Sequence, residues 1–347
     1  MSKRGMMDQF MDIKQQHPET ILFFRMGDFY ELFHDDAVVG SEVLGLALTS
    51  RDKKADKPIP MAGFPWHALE DNIKVMLKAG HKVTVAEQEK ELREGAKLLE
   101  RVVTRVYTPG SLYEESLLGT DERSLLISVT LGKSELGIGI LDASTGQAWA
   151  SHLVGDDRFA RALDEIMRWR PTEIVVTPKD AENTELCALF SHLDGVLISQ
   201  HKASEAKRRK RLEKVLKVAD LGHIDLDNSP LALAAAGLAA DYLGTMHIAD
   251  EVPLRDIEVI DESGHLVLDQ TTLKNLELTS TLAGEYEGSL LASLNSCRSS
   301  MGRRLLKTWI LRPLCNLEAI HARHDAVSAL SRSSRRLEGI RLSLIHI

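Results

Sequence analysis

The sequence is poor in cysteine and in aromatic residues, and it has no long apolar run. Its 347 residues include 3 cysteines and 5% aromatic residues. Cys187, Cys297 and Cys315 are far apart and odd in number, which argues against a disulfide framework and against a zinc or other metal site. The longest apolar segment, residues 231–243, is too short to span a bilayer, and the N-terminus lacks a signal-peptide core. We therefore expect a cytoplasmic protein.

An excess of positive charge is also missing. The chain has 43 Lys and Arg residues against 51 Asp and Glu residues, which leaves a formal net charge of -8. A protein that coats nucleic acid without selectivity normally has a basic surface. A nucleic-acid-binding protein with this balance must concentrate its positive charge locally, or recognise the nucleic acid by shape and insertion. The length predicts two or three domains.

Residues 1–111 are predicted to form an α/β domain, since short apolar runs alternate with segments of helical periodicity. Asp28 and Glu31 have the spacing of a helix capping box. That interpretation puts Phe29 and Glu31 on different sides of one helix, with Phe29 at the margin of its buried stripe. The expected elements are a strand at 20–26, helices at 28–44 and 68–78, and strands at 82–87 and 102–107.

Residues 112–228 are predicted to form a second α/β domain with a mixed sheet of ribonuclease-H-like type, because three hairpin strands precede βα units. From residue 229 the pattern becomes helical, and we expect 229–347 to be the start of an all-α core. After about Leu330 the sequence departs from what we expect of that core. The last ~15 residues are therefore interpreted as a foreign tail on a truncated chain.

Three ordered motifs in the first 110 residues resemble those of the MutS family of DNA mismatch-recognition proteins. Shorter blocks in the helical segment also match the family, so the resemblance covers about residues 8 to 330. Several motifs in the right order are far more specific than any one alone. The matching segments are LFFRMGDFYELF at 22–33, PIPMAGFPWHA at 58–68, RVVTRVYTPG at 101–110, LD at 268–269, LKNLE at 273–277 and MGRRLLKTWI at 301–310.

The resemblance implies that Phe29 is an aromatic wedge and that Glu31 contacts a base. A ring inserted in the minor groove must unstack a base step, which costs a few kcal/mol. A mispaired base has already lost part of that energy, so insertion is cheaper there. A carboxylate near phosphates is repelled unless it finds a base-edge donor or takes up a proton. Without the resemblance, periodicity would favour Phe29 in the core.

Several basic residues are weaker candidates for contacts with the DNA backbone. Arg101 and Arg105 are four apart in a predicted strand, where both would face one side and could contact phosphates or only solvent. A dense basic run at 202–217 is interpreted as an exposed helix or a weak nucleic-acid patch. The other candidates are Lys53, Lys54 and Lys57 in a polar loop.

Two segments imitate catalytic motifs. Residues 132–134 (GKS) lack the glycine five positions earlier that a P-loop needs, and we interpret them as a hairpin turn. We therefore expect no ATPase activity in this chain. Asp142 at a strand end could belong to a metal-dependent nuclease, but no defensible set of further carboxylates accompanies it. That nuclease is one alternative function, and the other is a MutS relative that binds DNA junctions without a wedge.

The resemblance also implies partners and cofactors for a longer protein. They are duplex DNA with mismatches or small loops, a second copy of the protein in a dimer, and a MutL-type partner that binds the second domain, the connector. ATP and magnesium are expected only in an ATPase domain that this chain lacks.

Overall fold

The computed structural model describes residues 5–51, 58–89, 99–112, 117, 124–218, 221, 229–246, 254, 256–260, 264–266 and 268–345. The chain divides into two compact units. The first comprises residues 1–119, 123–159 and 171–258, and the second comprises 120–122, 160–170 and 259–347. The first unit contains both sheets and the second is helical. The mixed α/β architecture with a helical C-terminal part is therefore confirmed.

The first sheet has six strands in the order β3-β4-β2-β1-β5-β6. β1 runs parallel to β5, and the other neighbours are antiparallel. Apolar side chains on both faces are buried under helices, so the strands are held from both sides. The elements are β1 Thr20–Met26, β2 Phe29–Phe33, β3 Thr49–Arg51, β4 Ile59–Pro65, β5 Lys82–Gln88 and β6 Arg101–Tyr107, with α1 Met6–Gln16, α2 His34–Leu44 and α3 Leu69–Lys78.

The helix predicted at 28–44 is wrong in its first part, because Phe29–Phe33 is a strand and the helix begins only at His34. Gly27, with φ 60°, and Asp28 form a tight turn that leads β1 back into β2. In β2, Glu31 lies between Phe24 of β1 and Gly63 of β4. Strand pairing on both sides outweighs the local capping signal, so the capping box does not exist.

One face of the first sheet is covered by α1. The ring of Phe10 makes edge-to-face contacts with Phe24 at 5.6 Å and Phe33 at 5.1 Å. The other face packs against α2 and α3 through Ala37, Ile73 and other buried residues. Since α1 reaches only part of its face, the β1–β2 turn and the residues beside it remain exposed.

The second sheet is mixed, as predicted, with the order β11-β10-β7-β8-β9-β12. Three antiparallel strands lead the domain, and β10 and β11 run parallel to β7. The ribonuclease-H-like type stays a prediction. The strands are β7 Leu125–Leu131, β8 Glu135–Asp142, β9 Gln147–Val154, β10 Glu173–Val176, β11 Leu197–Gln200 and β12 Asp256–Val259. The helices along this stretch of the chain are α4 Arg158–Trp169, α5 Thr184–Phe190, α6 Glu205–Leu216 and α7 Pro230–Met246. Most of α4, from residue 160, belongs to the second unit.

The predicted start of the helical core at residue 229 differs from the structure, because α7 packs on this second sheet. A Cβ built on Gly137 would lie 2.1 Å from the carbonyl oxygen of Leu231, and one on Gly139 would lie 2.5 Å from the amide nitrogen of Ala236. Two glycines in β8 thus let the helix backbone approach the sheet closely. The apolar Ala/Leu composition of α7 reflects burial in the second domain.

The helical unit begins later in the chain. Leu268, Leu273 and Leu278 form a small buried cluster with Ile310 and Leu311 packed against it. Ser299 caps a new helix, and its hydroxyl accepts from the amide of Gly302 at 3.2 Å. The elements are α8 Gln270–Asn275, α9 Leu290–Leu294, α10 Ser300–Leu311, α11 Leu317–Ser331 and α12 Ser334–Ile345. Throughout the described part of the chain, every helix is too short or too polar to cross a membrane.

Candidate nucleic-acid interface

Phe29 and Glu31 lie on the same face of the first sheet. They are two apart in β2, and alternate residues of a strand point to the same side. The expectation that they occupy different sides of a helix is therefore wrong. Phe29 is 48% exposed, whereas its neighbour Tyr30 on the opposite face is 1% exposed. The structure thus presents one aromatic ring to solvent beside a carboxylate.

The position of Phe29 follows from the strand ends around it. Phe29 is the first residue of β2, directly after the tight turn, and it pairs with Met26 of β1 and Pro65 of β4. Further along the same face of the sheet, the ring of Phe24 is buried under α1, and this packing holds the strands in place. The ring of Phe29 therefore projects from the end of a rigid sheet rather than from a long loop.

The carboxylate of Glu31 is unusual because one of its oxygen atoms, Oε2, is buried and has no hydrogen-bond partner among the described residues. Burial raises the pKa of Glu31, and the positive charges of Arg51 and Arg101 oppose that rise. An unpaired buried oxygen costs free energy unless a ligand or a proton satisfies it. The site therefore favours a hydrogen-bond donor, or protonation, at Glu31.

Gly63 keeps the surface beside Glu31 open. A Cβ at this position would lie 3.6 Å from Cγ of Glu31 and 3.0 Å from the carbonyl oxygen of Tyr30. Gly63 is exposed, and it pairs with Glu31 across β2 and β4. Any side chain there would cover the carboxylate. Gly63 belongs to the motif at 58–68, and no role was predicted for it.

Arg51 was missed as a candidate at this site. Its guanidinium lies 5.9 Å from the ring centroid of Phe33, and its charge acts on Glu31. Arg51 ends β3, which the sequence analysis did not predict as a strand. Nothing in the local pattern linked an arginine twenty residues downstream to Glu31, because only strand pairing brings them together.

Arg101 and Arg105 are both buried, which differs from the expected exposed strand face. The register of β5 and β6 shifts between Val85 and Ala86, where Thr104 of β6 is the extra residue. This β-bulge reverses the alternation, so Arg101 faces the side of Phe24 and Arg105 the opposite side. The prediction that both face one side is wrong.

The two arginines stabilise the first domain from inside. Arg101 donates from Nε to the carbonyl oxygen of Arg25 at 3.3 Å and from Nη1 to that of Leu99 at 2.7 Å. Arg105 donates from Nη2 to the carbonyl oxygen of Ser111 at 3.2 Å. Their guanidinium groups serve the protein backbone, and a role in phosphate binding stays an untested prediction with less support than before.

The remaining basic candidates divide in two groups. Lys53, Lys54 and Lys57 lie outside the described residues. The basic run forms α6, as predicted for a charged helix. Lys207 of this helix pairs with the buried carboxylate of Asp241 at 3.0 Å. Part of the run therefore contributes to the structure of the second domain.

The two imitations of catalytic motifs are explained by the geometry. Gly132 donates its amide proton to the carbonyl oxygen of Glu135 at 2.9 Å in the turn between β7 and β8, so the predicted hairpin is confirmed. Asp142 is buried, and its Oδ1 accepts from the amide of Ser144 at 3.0 Å. Within the part of the chain that the structure describes, no three His, Cys, Asp or Glu residues come together to hold a metal ion. A nuclease site is not favoured.

Comparison with known proteins matches this division of the chain. Family models described as MutS domain I, MutS domain II and MutS domain III match residues 4–116, 124–256 and 271–346. The second match includes α7, in agreement with its packing on the second sheet. The third match continues to residue 346. It crosses the segment after Leu330, so our expectation of a foreign tail is not supported.

Similar proteins carry the description "DNA mismatch repair protein MutS". The relative from Symbiobacterium thermophilum is 36% identical over 330 residues, which is 94% of this chain and 38% of that protein. A relative from Anaeromyxobacter sp. strain Fw109-5 is 38% identical over 342 residues, 98% of this chain and 38% of its own length. One from Methanococcoides burtonii is 33% identical over 331 residues, 94% and 37%.

Three successive domain matches over nearly the whole chain place this protein in the MutS family. The chain spans about 38% of the length of the relatives that it matches.

Proposed function

We propose that this chain recognises mispaired and unpaired bases in duplex DNA, with Phe29 as the inserted ring and Glu31 as the base-contacting carboxylate. The observation that carries the proposal is their placement side by side at an exposed sheet end, one an exposed ring and the other a partly buried acid. Membership of a family whose relatives are described as mismatch repair proteins supports it.

Selectivity comes from the cost of opening the duplex. Inserting Phe29 separates two stacked bases, and this costs less where pairing is already defective. The difference in deformation energy between the two duplexes becomes the preference for the mismatch, without sequence-specific contacts. A ring that projects from a braced strand loses little conformational freedom on insertion.

Glu31 adds discrimination through its unpaired oxygen. A displaced base can offer an edge donor to Oε2, or Glu31 can take up a proton and donate to a base acceptor. In a matched duplex the bases satisfy each other, and the carboxylate instead lies close to phosphates and is repelled. The raised pKa of Glu31, caused by burial, makes protonation easier.

Binding of the chain to a duplex with a G·T pair or an unpaired T, against a matched duplex at one stated salt concentration, tests this proposal. We expect tighter binding to both defective duplexes. Equal affinity for all three would contradict it. Tight binding to four-way junctions without mismatch preference would instead support a junction-binding relative, for which the exposed Phe29 gives no reason.

For the longer protein we propose the partners that family membership implies. These are a dimer of two copies, a MutL-type partner on the second domain, and ATP with magnesium in a domain outside this chain. A pull-down of a purified MutL-type protein by residues 124–256 of the full chain, with and without surface substitutions on α6, tests the second of these. If every variant with a substitution on α6 still bound the MutL-type protein, α6 would not be its binding surface.

A further inference from the structure

The turn that carries Phe29 is held by an arginine between two aromatic rings. Arg25, in β1, lies with its guanidinium 5.2 Å from the ring centroid of Tyr30 and 5.4 Å from that of Trp66. Its Nε donates to the carbonyl oxygen of Gly27 at 2.5 Å. A planar cation fits between two ring faces and keeps an edge available for hydrogen bonds. Arg25 therefore joins an aromatic stack to the backbone of the turn.

The stack itself is anchored in the core. Tyr30 is fully buried, its ring lies 5.6 Å from that of Phe64, and its hydroxyl is hydrogen bonded to Glu87. Burial and this carboxylate raise the pKa of Tyr30, so the hydroxyl stays protonated and remains a donor. The inner side of the arginine thus rests on fixed groups.

The turn has further contacts from the neighbouring strands. The amide of Trp66 donates to the carbonyl oxygen of Asp28 at 2.9 Å, and the amide of Gly27 donates to Oε1 of Gln88 at 3.3 Å. Trp66 is 52% exposed, so its indole is an outer cover for Arg25 rather than a core residue. Gly27 and Asp28, the two residues before Phe29, are therefore held by Arg25 of β1, by Trp66 directly after β4, and by Gln88 of β5.

We propose that Arg25 is a positioning residue for Phe29, and that Trp66 completes this function by covering its guanidinium. The pair fixes the Gly27–Asp28 turn, and so fixes the direction in which the ring of Phe29 leaves the sheet. We call Arg25 and Trp66 the clamp. The effect of the clamp on DNA binding rests on the proposed function, but the clamp itself does not. A ring that must enter a stacked duplex gains from a fixed direction, because a misdirected ring cannot separate the bases.

The first test measures the clamp without DNA. Backbone order parameters at Gly27 and Asp28 should fall in Arg25→Ala from the rigid range, about 0.85, to below about 0.6. Arg25→Lys should also lose order, because lysine keeps the charge but not the planar group. Trp66→Phe should keep most of the order and Trp66→Ala should not. Order parameters that stay at the wild-type value in Arg25→Ala would overturn the clamp.

The second test measures the consequence for DNA. A 2-aminopurine next to an unpaired T gains fluorescence when the base step is unstacked. At saturating protein, Arg25→Ala should give less than half of the wild-type gain, whereas Lys78→Ala, an exposed lysine on α3, should give all of it. A full gain in Arg25→Ala, with the gain lost in Phe29→Ala, would overturn the positioning role. If Phe29→Ala itself kept the full gain, the proposed function would fail, and the order parameters would still decide the clamp.

Discussion

Replacing Phe29 with alanine removes the ring that we propose enters the duplex. A phenylalanine side chain presents about 200 Å², and with 48% exposure roughly 100 Å² of it remains to be buried by a ligand. At about 25 cal/mol per Å², this area corresponds to roughly 2.5 kcal/mol. Allowing for incomplete insertion, we expect a loss of about 2 kcal/mol at a mismatch, or roughly 30-fold in affinity.

The matched duplex should respond differently. There the ring must first unstack two paired bases, at a cost of a few kcal/mol that cancels its burial. Binding to matched DNA should therefore change by less than about threefold, so the ratio of mismatched to matched affinity falls towards one. The other half of the ring is buried in the free protein, so the same coefficient predicts that the free energy of unfolding also falls, by at most about 2.5 kcal/mol.

Fluorescence anisotropy with G·T, unpaired-T and matched duplexes measures the ratio, and urea unfolding measures the stability. Val75→Ala is a matched control, because Val75 is 44% exposed in the same domain and lies on α3 rather than at the site. It should leave all three affinities unchanged. A Phe29→Ala variant that retained the wild-type ratio, while folded, would refute the role of the ring.

Three further predictions concern buried groups. Burial raises the pKa of Glu31 in the folded state, so the stability that this group contributes is present in acid and is lost as pH rises through that pKa. The free energy of unfolding of Glu31→Gln should therefore exceed that of the wild type by about 1 kcal/mol at pH 7, and the difference should vanish near pH 4. A difference that stays constant with pH would contradict the raised pKa. Arg105→Ala should cost about 2 kcal/mol of stability because its hydrogen bond to Ser111 is lost, while the slope of DNA affinity against salt stays the same; a slope lower by about one counterion would restore the phosphate role. Gly139→Ala should lower stability by about 2 to 3 kcal/mol because its Cβ would meet the backbone of Ala236, whereas Gly339→Ala, with nothing within 4 Å, should not; equal midpoints in urea would show that α7 can move away.

Most of the strands could be predicted from their apolar patterns, because a buried strand needs little beyond its own residues to be recognised. Thr20–Met26 has the predicted bounds. Phe29–Phe33 could not be predicted in the same way. The pattern of Asp28 and Glu31 favours a helix locally, and only the partners in β1 and β4, one of them thirty residues away, make it a strand.

The candidate site shows the same limit. Motif resemblance pointed to Phe29 and Glu31, but the sequence could not show that they share a face, since that depends on the strand. It also placed Arg101 and Arg105 together, and one extra residue, Thr104, separates them. A β-bulge cannot be recognised from the sequence of the strand that contains it, because it is defined by the pairing with the partner strand.

Two aromatic residues are adjacent at the start of β2, and their side chains lie on opposite faces of the sheet. Phe29 is exposed and Tyr30 is buried, although the two residues are adjacent in the chain. In a strand, a slip of one residue exchanges the two faces completely. The two-residue turn at Gly27 and Asp28 sets the register, so one inserted residue there would turn Tyr30 outward and Phe29 into the core. The length of this turn therefore helps to determine which of the two rings is exposed to solvent.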